Sequence, residues 1–183
     1  LANIYSFEGS FEKAVDTSRR ALAMAFTLGK TKSYEYAVLA QAYMLAENLS
    51  EARINIDLAE KYNDALIHSH NISLLSGVIS LKQDKLDLAQ DAFSRTVARA
   101  DTILGKTAEY YDALDAKGLA LCGLELIFNM GDLSDAKQAF ITARNIRNNI
   151  SAQKRRLLYF DELVKIDKEN VLKGVRLLLV GKE

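Results

Sequence analysis

The sequence predicts an all-α array of antiparallel helix pairs, and three observations carry that prediction. The first is punctuation: 183 residues contain no proline and only nine glycines. A sheet protein needs more turn residues than this, whereas helices joined by short turns do without proline. The second is recurrence. Ala14 is matched by Ala52, Ala89 and Ala136, at intervals of 38, 37 and 47 residues. The third is a set of fixed offsets around those alanines. Tyr5 and Tyr43 stand nine residues before the first two, and Phe93 and Phe140 stand four after the last two. Ala21, Ala59 and Ala143 stand seven after theirs, with Thr96 at that place in the third repeat. A small residue where two helices cross lets the backbones approach, and an aromatic fills the space beside it.

The elements follow in order. Leu1, Ala2 and Tyr5 share one face of a first helix, 1–8. Gly9 and Ser10 interrupt it, and Phe11, Ala14 and Ala21 resume the spacing on a second helix, 11–28. Further helices are expected at 31–46, 50–63, 66–83, 86–104, 107–130, 133–148, 152–166 and 168–180. The turns support them. Ser10, Asn48, Lys85 and Asp132 stand four residues before each alanine, and Ser, Asn and Asp there cap a helix by accepting a backbone N–H. In the third turn Asp84 is the expected cap instead of Lys85. Gly9 and Gly131 precede their caps, where a left-handed residue closes the preceding helix. A second echo joins Leu28-Gly29-Lys30-Thr31 to Leu104-Gly105-Lys106-Thr107. Each Gly is expected to end a helix and each Thr to cap the next.

This pattern, Leu-small-x-x-Tyr, then Gly, aromatic, Ala and Ala, resembles the tetratricopeptide repeat. The resemblance covers about residues 1–147 as four repeats, roughly 1–30, 31–64, 65–105 and 106–147. Ser80 and Ile127 stand where the third and fourth repeats would carry the tyrosine. The usual tryptophan and terminal proline are absent, and the intervals exceed the family's 34 residues. The resemblance implies a right-handed α-solenoid whose first helices line a concave surface, closed by a capping helix pair at 148–183. Leu28-Gly29, Leu104-Gly105 and the tail from Arg144 to Leu163 are also similar to repeat arms of STAND-type signalling ATPases. Since Leu1 already lies inside a repeat, the chain reads as a fragment of a longer protein.

Composition sets the class. Apolar residues make up 49% and charged residues 26%, which suits a helical protein with a substantial core. A single cysteine, Cys122, cannot form a disulfide within the chain, so a reducing, cytoplasmic setting is expected. The strongly apolar stretch from Leu119 to Phe128 carries Glu125 and is too short to span a bilayer. Net charge is zero, but residues 144–183 hold ten basic and five acidic side chains. That excess is read as a solvated face of the last helices in preference to a contact surface for anions, with Lys154, Arg155 and Arg156 expected to point to water or to another domain.

No catalytic constellation emerges. Gly-Lys-Thr lacks the upstream glycine of a phosphate loop, with Met24 and Ala100 in its place. His68 and His70 point about 200° apart on a helix, so they do not share a face. Cys122 sits among Ala120, Leu121, Gly123 and Leu124, which favours an inert core thiol. Asp112 with Asp115, and Asp132 with Asp135, read as solvated or first-turn carboxylates. Tyr34, Tyr36, Tyr110 and Tyr111 read as interhelical, because the first 143 residues are net acidic and oppose phosphate binding.

The expectation is therefore a non-catalytic scaffold with no cofactor, no metal and no membrane span, whose partner is a protein or peptide; nucleic acid is not expected to bind the array. Alternatives are a peptide-sensing domain of a transcription regulator and a helical-repeat domain of an enzyme. Partner contacts are placed on the concave face at Asn3, Phe7, Gln41, Met44, Val78, Lys82, Glu125 and Phe128. The exposed apolar members would mark the site, and the polar ones would set orientation.

Overall fold

A computed structural model of the chain describes residues 2–30, 32–63, 66–147 and 150–180. Among them every regular element is a helix: α1 (Ala2–Phe7), α2 (Phe11–Thr27), α3 (Ser33–Leu45), α4 (Leu49–Lys61), α5 (Leu66–Lys82), α6 (Leu86–Leu104), α7 (Tyr111–Phe128), α8 (Ser134–Ile146), α9 (Ile150–Ile166) and α10 (Val175–Val180).

The repeated turn is visible in the backbone. Gly9, Glu47, Asp84 and Gly131, each five residues before its alanine, all adopt positive φ, between 57° and 75°. In the first three turns the next residue donates its N–H back five places: Ser10 to the Tyr5 carbonyl at 2.8 Å, Asn48 to Tyr43 at 2.9 Å, and Lys85 to Ser80 at 3.0 Å. This is a Schellman closure, which satisfies carbonyls that the helix end leaves open. Asp84 is thus the left-handed residue and not the cap of α6; Lys85 holds the cap position without a side-chain bond. Asn48 does cap α4, accepting the Glu51 N–H at 3.2 Å, while Ser10 makes no such bond.

Two boundaries differ from expectation. α7 begins at Tyr111, because Thr107 spends its carbonyl on a turn with the Tyr110 N–H (3.2 Å) and Tyr110 takes the cap position. Gly105 keeps a right-handed φ, whereas Gly29 is left-handed; Thr31 lies outside the described residues. α10 begins at Val175 because the Asp167 carboxylate captures the Val171 and Leu172 N–H groups at 2.9 and 2.8 Å. Asn170 and Gly174 then turn through positive φ.

The odd helices α1, α3, α5 and α7 touch one another in sequence, and each of α2, α4 and α6 lies against the two odd helices that flank it. α8 lies on α7 and meets α10. Ala14, Ala52, Ala89 and Ala136 are all buried. Phe93 of α6 shows why small residues are needed at these crossings. Its ring sits between Gly77 of α5 and Gly123 of α7, so close that a Cβ on either would come within 2.5 Å of a ring carbon. Phe140 of α8 uses Gly118 of α7 the same way, at 2.6 Å. α5 is buried without interruption from Ile72 to Ser80. A helix covered all round needs a neighbour on its second face, and α9 supplies it, contacting α1, α5 and α7.

Candidate functional site

The inner face of the odd helices was the expected binding surface, and α9 lies on it. α9 enters with Gln153, Arg156, Tyr159, Phe160, Glu162 and Leu163 buried. These residues recur every three or four positions and form one stripe. Tyr159 Oη donates to Gln41 Oε1 on α3 at 2.8 Å. Lys82 of α5 pairs with Glu162 of α9 and with Glu47 at 2.9 Å. α9 therefore replaces solvent over much of the face.

Five of the eight expected contact residues are enclosed or engaged within the chain itself. Met44 and Val78 are fully buried core side chains. Gln41 and Lys82 are engaged by Tyr159 and Glu162. Glu125 is buried and bonds the Gly131 N–H at 2.6 Å, closing the turn after α7. Asn129, left-handed at the end of α7, displaces the usual closure there, so the carboxylate serves the turn instead. Phe7 and Phe128 are exposed. Asn3 is half-buried, with an Oδ1 that is shut off from solvent and has no partner.

Arg156 anchors α9 and, unlike the exposed Lys154 of the same basic run, does not face water. It is 1% exposed. One amino group donates to Asp112 Oδ1 and to Asn71 Oδ1, both at 2.6 Å. The other Asp112 oxygen accepts from Asn71 Nδ2 at 2.9 Å and lies 3.1 Å from His70 Nε2. Burial alone would raise the Asp112 carboxyl, but Arg156 and the His70 and Asn71 hydrogen bonds outweigh it and hold the group far below the usual carboxylate range. An ionised carboxylate only accepts, so His70 donates from Nε2. Asp115, one turn along α7, is also buried and is gripped through both oxygens by Arg144, which also donates to the Leu179 carbonyl of α10 at 2.7 Å. Asp112 stands in the first turn of α7, as expected, and stays partly exposed, whereas Asp115 is buried instead of solvated; both are ion-paired. Desolvation raises Asp115, against the pull of Arg156 and Arg144.

Beside α9 a cleft of about 430 Å³ stays open. All four odd-helix segments and α9 reach it, through Asn3, Tyr34, Val38, Asn71, Tyr110 and Arg155 among others. A second cleft of about 500 Å³ between α1, α2 and α3 shares the Asn3, Tyr34 and Val38 wall and is bordered by Arg20 and Glu35. The tyrosine rings are used in part between helices. Tyr34 meets His68 at 6.1 Å, Tyr36 stacks on Tyr62 at 5.8 Å, and Tyr110 meets the buried His70 edge-on at 6.2 Å. Cys122 is buried, and burial pushes its thiol up to about 12, with Glu125 adding to the shift. Among the described residues no three His, Cys, Asp or Glu side chains converge as a metal-binding group, and no helix is long and apolar enough to cross a membrane.

Sequence reasoning missed Arg156, Tyr159 and Glu162 as the residues that occupy the inner face. Their signal was spacing: 153, 156, 159, 160 and 163 mark one face of a helix, but three of those five positions are polar. Compared with known proteins, the chain matches no family model, no curated protein and no solved structure.

Proposed function

We propose that the chain is a non-catalytic interaction module, a tetratricopeptide-type right-handed α-solenoid that binds a protein or peptide partner along the inner face of its odd helices. The observation that carries this reading is α9. A surface that already seats one amphipathic helix, through Tyr159 on Gln41 and Lys82 on Glu162, has the chemistry of helix-in-groove recognition. The partner takes the part that α9 leaves open, beside Asn3, Tyr34 and Val38, with the exposed Phe7 and Phe128 as apolar contacts at its margins. A signalling sensor arm in the cytoplasm is the setting that the sequence resemblance favours. A peptide-sensing domain of a transcription regulator is the second reading, favoured by a cleft that several helices enclose.

The test uses a photo-crosslinking residue placed singly at Tyr34, Val38 and, on the outer helices, at the exposed Ile54 and Leu88. The full-length protein is expressed in the cells it comes from, and crosslinked products are identified by mass spectrometry. The expected result is one protein or peptide captured from positions 34 and 38 and not from 54 or 88. Capture from 54 or 88 alone, or from no position, overturns the reading.

A further inference from the structure

The open cleft carries a charge and hydrogen-bond pattern that neither the repeat pattern nor the scaffold reading explains. Its lining contains one acidic side chain, Asp112. That carboxylate is already matched by Arg156 and bonded by His70 and Asn71. Arg155 stands next to Arg156 on α9, also lines the cleft, and makes no ion pair or hydrogen bond among the described residues. Its charge reaches the buried Tyr159, whose phenol it draws down against the larger upward effect of burial. The cleft therefore holds one guanidinium in excess. A guanidinium presents a planar fork of donors that matches a carboxylate. Around it stand the flat side chains of Tyr34, His68 and Tyr110.

We propose that this cleft binds a compact organic acid bearing an aromatic ring, with its carboxylate on Arg155 and its ring against Tyr34, His68 and Tyr110. The proposal rests on the reading of the inner face as a ligand surface and names the ligand chemistry for it. A volume of about 430 Å³ lies within the range of small-molecule sites, roughly 300–1,000 Å³. The acid is a free small molecule or the C-terminal residue of a peptide. Bound there, it bridges Arg155 of α9 to Tyr34 of α3 and His68 of α5.

The test is ligand-observed NMR titration of the full chain with N-acetylphenylalanine and with its uncharged amide. The acid is expected to bind at least about tenfold more tightly than the amide, since one charge-assisted contact is at stake. Arg155→Gln is expected to abolish that preference and Arg155→Lys to keep part of it. Because Arg155 is only partly buried and no ion pair or hydrogen bond holds it among the described residues, both variants should keep wild-type circular dichroism and melting temperature. A blocked tetrapeptide ending in free phenylalanine separates the sources: tighter binding than the single residue assigns a peptide end, and equal or weaker binding assigns a free acid. Equal affinity for acid and amide, a preference that survives Arg155→Gln, or no binding of the acid at millimolar concentration overturns the proposal. Crosslinking from positions 34 and 38 that persists under any of those outcomes leaves the scaffold reading standing and rejects this ligand alone.

Discussion

The third and fourth helix pairs and the first pair share one alanine register yet bury it to different depths. In α5–α8 the alanines at 89 and 136 and the phenylalanines at 93 and 140 are all covered, and the rings close on glycines of neighbouring helices. In α1–α2 the equivalent of Phe93 is Ser18, which spends its hydroxyl on the Ala14 carbonyl at 2.7 Å. Ala21 is exposed where Ala143 is buried, and Ile4, Met24, Phe26 and Leu28 are each about half exposed or more. The motif supplies a small face and a large one; only a neighbour on each side turns them into core. α5 and α7 have α6 between them and α9 across them. α1 and α2 have α3 on one flank and a brief contact from α9.

The comparison breaks first at the aromatic position. Phe93→Ala should cost about 3–5 kcal/mol, since the ring fills a fully enclosed space between two glycines. Ser18→Ala, at the same repeat position, should change stability by less than about 1 kcal/mol, because it exchanges one local hydroxyl bond for better helix propensity. Chemical denaturation of both variants measures the difference. Equal losses would mean that the first pair is as tightly closed as the third.

A pH series sharpens the role of α9. Asp112 has its carboxyl held low in the folded chain. A lowered folded value contributes stability that is fully present above the unfolded value of about 3.9 and is lost only as pH falls below it toward the folded value. The destabilisation caused by Asp112→Asn should therefore be constant between about pH 7 and pH 5 and shrink below about pH 4. Denaturant midpoints of variant and wild type across that range test it. A gap that closes already near neutral pH would place the effect in another group.

The smallest effect lies in the turns. Asp84 and Gly9 occupy equivalent left-handed positions, both exposed, and nothing stands within 4 Å of a Cβ added at Gly9. Asp84→Gly should stabilise by about 0.5–1 kcal/mol, because it removes the left-handed penalty of a side chain. Gly9→Asp should cost a similar amount, about 0.5–1 kcal/mol, for the same reason. Melting temperatures that move together, in either direction, would break the equivalence of the two turns.

Most helices and their crossings were legible because they depend on local rules. Alanine spacing, left-handed closures and capping Asn48 act within a few residues, and the boundaries that failed are those where another bond intervened, from the Thr107 carbonyl before α7 and from the Asp167 carboxylate before α10. The seat of α9 was not legible. Leu157, Leu158, Leu163 and Ile166 have the spacing of an apolar face, yet Leu157, Leu158 and Ile166 are only partly buried and the buried stripe runs through Gln153, Arg156, Tyr159, Phe160 and Leu163. A buried charge with a partner looks, in one dimension, the same as a solvated one. Arg156 lies 44 residues from Asp112 and 85 from Asn71, and no spacing rule joins them. Met44 and Val78 are likewise enclosed in the core, which the spacing of their own helices does not show.

The fully covered thiol of Cys122 has a practical consequence. It is the one cysteine of the chain, and it lies on α7 beneath the helices that enclose it. With its proton held up to about 12, it is protected from alkylation both by burial and by the scarcity of thiolate. Any modification of the native chain must then pass through an opening of that interior. The rate of labelling by a neutral thiol reagent becomes a clock for how often the centre of the molecule comes apart, one that needs no mutation or added dye, and its response to denaturant distinguishes a local opening from the unfolding of the whole chain.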